Sequence, residues 1–257
     1  MRRALVLAFL LAACGSSRVS LTGDIQYGKT AEEDYSGGLQ EMKEHNWTEA
    51  VKLFEHARTK YPFSKFAAMS ELALADVKYE QEAFVEAAEA YDSFVKLHPT
   101  HEKADYAAFR AAESLYKDAP TSMFLFPPAY EKDQAELAKA AQRFTDFIKT
   151  WPSSTYKPEA EKLLLDTRNR LAEHEWYVAD FYASRDRWPG VAGRLEALVR
   201  DYPGTQHEVE ALLRLSDIYA NKLDDRYRAR QALQQLISRH PNAARAAGAE
   251  KRLEALR

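Results

Sequence analysis

Five segments of this chain end in an aromatic residue or histidine followed by proline, and the residues before each proline repeat one pattern. The segments are 47–62, 84–99, 137–152, 188–203 and 226–241. Twelve residues before the proline stand Ala50, Ala87, Ala140, Val191 and Ala229. Eight before stand Phe54, Tyr91, Phe144, Leu195 and Leu233. Five before stand Ala57, Phe94, Phe147, Leu198 and Leu236. Immediately before it come Tyr61, His98, Trp151, Tyr202 and His240. Offsets of four and three keep the first three sets on one helical face. The small residue lets a neighbouring helix approach, and the bulky ones fill the space between. Proline then ends the helix, because the residue before it is pushed out of the helical region. A second helical run follows each proline, at 65–81, 103–117, 158–184, 208–222 and 243–256. The sequence therefore predicts antiparallel helix pairs. Nine glycines in 257 residues, with frequent Ala, Glu, Lys, Leu and Arg, agree with helix over sheet.

Successive prolines are 37, 53, 51 and 38 residues apart. The two short intervals lie close to the ~34-residue tetratricopeptide unit. The two long ones imply an insertion at 118–134 and one extended helix. The pattern resembles the tetratricopeptide repeat over residues 26–257, the alternative being an unrelated helical bundle. The expected fold is all-α, a tetratricopeptide-repeat superhelix of about five helix-turn-helix repeats. Residues 27–132 form the N-terminal repeats and 133–257 the C-terminal ones. Such repeats stack into a superhelix whose concave groove binds peptides or partner domains.

The first fourteen residues carry a different message. Arg2 and Arg3 precede an uncharged apolar run at 4–13, too short for a mature membrane span of ~30 Å but suited to a secretory signal. Leu11-Ala12-Ala13-Cys14 resembles the bacterial lipobox, in which the cysteine is acylated and becomes the mature N-terminus. The plainer alternative is an ordinary signal peptide with an incidental cysteine. Cys14 is the sole cysteine, so the chain forms no internal disulfide. Residues 1–13 are read as signal peptide and 14–26 as lipidated N-terminus and polar tether, reaching at most roughly 40 Å. Several acyl chains on Cys14, at ~0.8 kcal/mol per buried methylene, give a stable anchor. In the lipoprotein sorting scheme an Asp after the cysteine retains the protein at the inner membrane. Gly15 stands there instead, which implies the outer membrane with the body in the periplasm.

Without its first thirteen residues the chain keeps 34 Lys and Arg against 39 Asp and Glu. This net charge of −5 makes nucleic acid a poor partner. The sequence contains no phosphate loop, dinucleotide turn, nucleophile elbow or paired zinc-ligand motif. We therefore expect no enzyme and no cofactor beyond the covalent lipid on Cys14. His98 and His101 straddle the Pro99 turn, as a metal pair or a turn-surface pair. Function is sought in three surfaces. Tyr61, Pro62, Phe63 and Phe66 form an aromatic cluster at a repeat junction, able to line a groove or simply to pack between repeats. The 118–134 insertion sets Met123, Phe124, Leu125 and Phe126 beside prolines, as a lid on the core or a partner patch. Arg185, Arg187, Arg194 and Arg200 surround Trp188, as interface anchors or solvated arginines.

Several further stretches form one ordered pattern along the chain. They are Asn46-Trp47 with Ala50, residues 58–63, His98-Pro99-Thr100-His101 with Ala104-Asp105-Tyr106, and Tyr156. Residues 170–172, Glu175, residues 177–179 and Phe181-Tyr182 continue it. Trp188, Val191, Arg194 and residues 201–203 with Thr205-Gln206 complete it. In order and spacing these stretches resemble the BamD family, the lipoproteins of the outer-membrane β-barrel assembly machine. The resemblance implies a non-catalytic scaffold. Its C-terminal repeats would dock on the last periplasmic POTRA domain of the barrel-forming subunit BamA, beside small accessory lipoproteins. Its N-terminal repeats would receive unfolded outer-membrane proteins. It places Tyr61 with substrate and Arg194 on the BamA side, where an arginine can hold a carboxylate bidentately. Pro189, Gly190 and Gly193 are expected to loosen the start of the helix bearing Arg194. The rival reading is a periplasmic repeat adaptor serving peptidoglycan synthesis or envelope division.

Overall fold

A computed structural model describes residues 26–121 and 128–256. Cys14, with the signal and the tether up to residue 25, lies outside the described residues, and so do Met123, Phe124, Leu125 and Phe126. The described residues form twelve α-helices and one 3-10 turn, without a strand. The helices are α1 (Ala31–Lys43), α2 (Trp47–Lys60), α3 (Lys65–Glu80), α4 (Phe84–Leu97), α5 (Ala104–Asp118) and α6 (Ala135–Thr150). The chain continues with α7 (Lys157–Ala183), α8 (Trp188–Asp201), α9 (Glu208–Asn221), α10 (Arg226–Arg239), α11 (Pro241–Ala246) and α12 (Ala249–Ala255). Each of α1 to α9 packs against the helix that follows it, and α12 packs back on α10.

The expected five helices are α2, α4, α6, α8 and α10, and each stops one residue short of its aromatic or histidine. All five residues before proline share one conformation, φ from −131° to −121° and ψ from 55° to 65°. Each still donates its amide to the carbonyl four residues back, on Ala57, Phe94, Phe147, Leu198 and Leu236. The proline ring denies them the helical ψ, so the helix closes its last bond and leaves. The small and bulky positions of the pattern are all buried. They form a chain of local cores shared between neighbouring helices, as a repeat stack requires.

Two details depart from expectation. The helix ending at each proline is the second of its pair, because α1 precedes the first. No upstream proline marks α1, and Gly37-Gly38 in its interior argues against a helix, each at roughly 1 kcal/mol. Gly38 stands there because a Cβ would meet the Phe54 ring at 2.5 Å. The run at 243–256 is not one helix: Gly248 adopts φ +64° and divides it into α11 and α12, which fold back to cap the last pair.

The turns inside the pairs also repeat. His45, Glu82, Asp186 and Asp224 each take φ between 50° and 60°, two residues before the next helix starts. In the third pair the 118–134 insertion replaces this turn. Its described parts lie along α7. The guanidinium of Arg170 donates to Pro120 O at 2.5 Å, His174 Nδ1 meets Tyr130 O at 2.6 Å, and the Tyr130 ring sits 5.1 Å from that of Tyr177. Buried Ala119 joins Leu137 and Leu171. α7 has 27 residues, nearly twice the length of its neighbours, and so packs on α6 with its first half and on α8 with its second. No helix among the described residues is long and apolar enough to cross a membrane.

Candidate functional site

The first helices of three successive pairs, α1, α3 and α5, and the turn before α7 line a cavity of about 230 Å³ on the N-terminal half. Tyr35 and Leu39 enter from α1, Met69, Leu72 and Asp76 from α3, Tyr106 from α5, and Tyr156 from the turn before α7. His101, Glu102 and Lys103 form its rim.

Asp76 organises the floor. Its Oδ1 accepts hydrogen bonds from Tyr91 at 2.6 Å and Tyr106 at 2.8 Å. Burial pushes the Asp76 carboxyl above its ordinary range, against the pull of the two phenols and of Arg110. Burial likewise raises the phenols of Tyr91 and Tyr106, and the neighbouring Asp76 charge adds to it. Arg110 lies 3.5 Å over the face of Tyr79 and is paired with Glu113 at 2.8 Å and Glu80 at 3.8 Å. Burial, reinforced by Glu113, raises the Tyr79 phenol to about 12. The aromatic walls are themselves braced. Tyr35 packs against Phe54 and Phe66, Tyr106 against Tyr156, and Tyr156 stacks on Phe109 at 5.2 Å. Such a groove offers broad apolar contact with a few fixed polar groups, the chemistry that holds an extended peptide.

The sequence candidates fall at different distances from this groove. Phe66 is half-buried and touches Tyr35, so it backs the groove wall. The Tyr61 hydroxyl donates to Lys29 O at 3.0 Å and its ring meets His56 edge-on. His56 in turn bonds buried Asp34 at 2.6 Å and stacks under Tyr27 at 4.3 Å, which fixes the chain just before α1. Pro62 is exposed and Phe63 fully so, on the turn between α2 and α3. His98 is bonded to Glu71 at 2.6 Å, and His101 Nδ1 accepts from the Lys103 amide. Among the described residues no three His, Cys, Asp or Glu side chains converge as a metal site.

On the C-terminal half, Arg194 reaches from α8 to Glu175 on α7 at 3.3 Å and remains half-exposed. Trp188 packs on the local core with the Lys222 ammonium 4.7 Å from its ring centre, while Arg187 is exposed. Arg185 covers Phe181, and Arg200 pairs with adjacent Asp201. The expected loosening of α8 is not found. Pro189 sits in the first turn, where its missing amide has no helical partner to lose. Gly190 lets Tyr182 close against the helix, since a Cβ would lie 3.0 Å from that ring.

Asp76, Tyr35 and Arg110 were not legible as site residues. The available signal was a carboxylate inside the otherwise apolar stretch Leu72–Val77, a position no surface argument explains.

The outer membrane protein assembly factor BamD of Neisseria meningitidis serogroup B is 28% identical over 223 residues, covering 85% of this chain and 82% of that protein. BamD of Vibrio cholerae serotype O1 is 28% identical over 176 residues, covering 67% of this chain and 72% of that protein. Among solved structures, the TPR2AB-domain:pHSP90 complex of yeast Sti1 aligns at a TM-score of 0.41 and 15% identity, covering 88% of this chain and 84% of that one. Residues 28–227 match the family model YfiO, outer membrane lipoprotein, and the chain belongs to that family.

Proposed function

We propose that this protein is a non-catalytic scaffold of the outer-membrane β-barrel assembly complex. The observation that carries the reading is the similarity to BamD assembly factors over more than four-fifths of the chain, through both halves of the repeat array. In this reading the concave groove around Asp76 receives segments of unfolded outer-membrane proteins. The C-terminal repeats, through Arg194 with Arg187 and Trp188, hold the POTRA region of a BamA-like barrel subunit. Acyl chains on Cys14 fix the body to the periplasmic face of the outer membrane, where small accessory lipoproteins join it. Confinement to one surface raises the local concentration of groove, partner and substrate.

The test is a detergent pull-down of the full-length lipoprotein from its own envelope, with partners identified by mass spectrometry. Recovery of a POTRA-bearing barrel protein in near-equal amount is expected. Recovery of murein-synthesising or division proteins in its place overturns the assembly reading in favour of an envelope adaptor. For the anchor, Cys14→Ser should leave the protein uncleaved or soluble; a processed, membrane-associated variant refutes lipidation at that residue.

A further inference from the structure

Asp76 is only half satisfied by its own protein. Tyr91 and Tyr106 both donate to Oδ1, and Oδ2 accepts no hydrogen bond from any described residue. Asp76 is half-buried and lines the cavity of about 230 Å³ with Tyr35, Tyr106 and Tyr156, so a donor for Oδ2 has to come from water or from a group that enters that cavity. The nearby cations give it no hydrogen bond: Arg110 is held by Glu113, Glu80 and the Tyr79 face, and Lys103 on the rim forms no ion pair with a described carboxylate.

We propose that Asp76 Oδ2, framed by the rings of Tyr35, Tyr106 and Tyr156, is a subsite for one lysine or arginine side chain of an extended segment held in the groove. A cationic head donates a charge-assisted hydrogen bond to the carboxylate, and the aromatic faces attract the same charge. The aliphatic stem of such a side chain packs on Leu39, Met69 and Leu72 while its head reaches the floor. A neutral apolar side chain fills the same volume but leaves Oδ2 unpaired. An acidic one meets a like charge. The inference rests on the groove being a segment-binding site and adds to that reading a preference for a basic residue at one position.

The experiment uses the full-length protein in mild detergent and three fluorescent ten-residue peptides of one aromatic and aliphatic frame. They differ only at a central position: lysine, norleucine or glutamate. The lysine peptide should bind about tenfold more tightly than the norleucine peptide, and the glutamate peptide most weakly. Asp76→Asn should abolish the lysine preference, so that the lysine and norleucine peptides bind the variant with equal affinity. Tyr156→Leu, which removes one ring without touching Asp76, should reduce the preference. Equal affinity of the wild type for lysine and norleucine peptides overturns the subsite and leaves the groove reading standing. A lysine preference that persists in a folded Asp76→Asn places it elsewhere and also overturns the subsite. Failure of all three peptides to bind overturns the groove reading and the subsite with it. The wild-type comparison decides the matter even where the variants do not fold.

Discussion

His240 Nε2 lies 3.0 Å from Glu208 Oε2, and the Glu208 side chain is only 1% exposed. Glu208 also accepts from the Gly204 amide at 2.6 Å and from Arg239 at 2.7 Å, so one carboxylate ties the start of α9 to the end of α10. The contact sits at the histidine–proline step that closes the last repeat, where a helix end would otherwise be free to fray.

This clamp has a pH signature. Burial favours the neutral acid, but the Gly204 amide, Arg239 and His240 outweigh it and hold Glu208 below its ordinary value of 4.5. A carboxyl whose folded pKa is depressed contributes its stability in full above the unfolded value. That contribution is lost as pH falls from about 4.5 through the folded value. Glu208→Ala should destabilise the protein at pH 7 by about 2–3 kcal/mol, the range for losing hydrogen bonds to a charged group. Thermal unfolding followed by circular dichroism should show the gap to wild type narrowing below pH 4.5. A gap that holds constant down to pH 3 removes Glu208 from the acid response.

Asp76 carries the opposite sign. Its folded pKa lies above the ordinary 3.8, so the folded chain binds the proton more readily than the unfolded one. Stability therefore falls as pH rises from 3.8 through the folded value, and the ionised carboxylate remains a cost at neutral pH. Asp76→Asn keeps an oxygen to accept from Tyr91 and Tyr106 and removes that cost. Its melting temperature at pH 7 should exceed that of wild type, with the difference shrinking as pH drops toward 3.8. A residue that destabilises its own fold at working pH is the pattern expected of a binding group. A lower melting point for Asp76→Asn at pH 7 would mean that attraction to the Arg110 charge, without a direct bond, and the phenol hydrogen bonds to the carboxylate outweigh desolvation.

The sequence was most informative where one physical cause acts at every repeat. Proline forces the residue before it out of the helix, so Tyr61, His98, Trp151, Tyr202 and His240 announced five helix ends, and helical spacing upstream announced the core. The first helix escaped because what specifies it is non-local: Gly37-Gly38 reads as a break until the Phe54 ring of the next helix is seen against Gly38. The groove escaped for a related reason. Tyr35, Asp76, Tyr106 and Tyr156 are spread over 122 positions of the chain and meet only when alternate helices line one face. Tyr61 was legible from its motif, but its hydrogen bond to Lys29 O, 32 positions back, was not.

The two glycines at the start of α8 should separate cleanly. At Gly193 a Cβ would meet nothing within 4 Å, so Gly193→Ala gains helix propensity, roughly 0.5–1 kcal/mol. At Gly190 the same Cβ would press the Tyr182 ring at 3.0 Å, and overpacking of about 1–3 kcal/mol exceeds the propensity gain. The order of melting temperatures should be Gly193→Ala above wild type above Gly190→Ala, with steps of about 2–4 °C per kcal/mol in a domain of this size. Equal effects at the two sites would mean that Tyr182 yields freely and that the close approach does not hold α8.

Arg194 makes an ion pair with Glu175 at 3.3 Å and is still half-exposed, so a structural and a partner-binding role must be told apart. A pair of this exposure contributes at most about 1 kcal/mol to stability. As an anchor at a partner interface, the same guanidinium would contribute 2 kcal/mol or more, about 30-fold in affinity. Arg194→Glu places a carboxylate against Glu175 and should lower the melting temperature by only a few degrees while weakening binding to a POTRA fragment of the barrel subunit at least 30-fold. The charge-swapped pair, Arg194→Glu with Glu175→Arg, restores the internal contact and should recover the melting temperature. It should not recover binding, because the cation now stands on α7. Biolayer interferometry on all three proteins separates the cases. Binding restored together with stability makes Arg194 a brace between α7 and α8, and binding that stays lost in the swapped protein assigns its guanidinium to the partner.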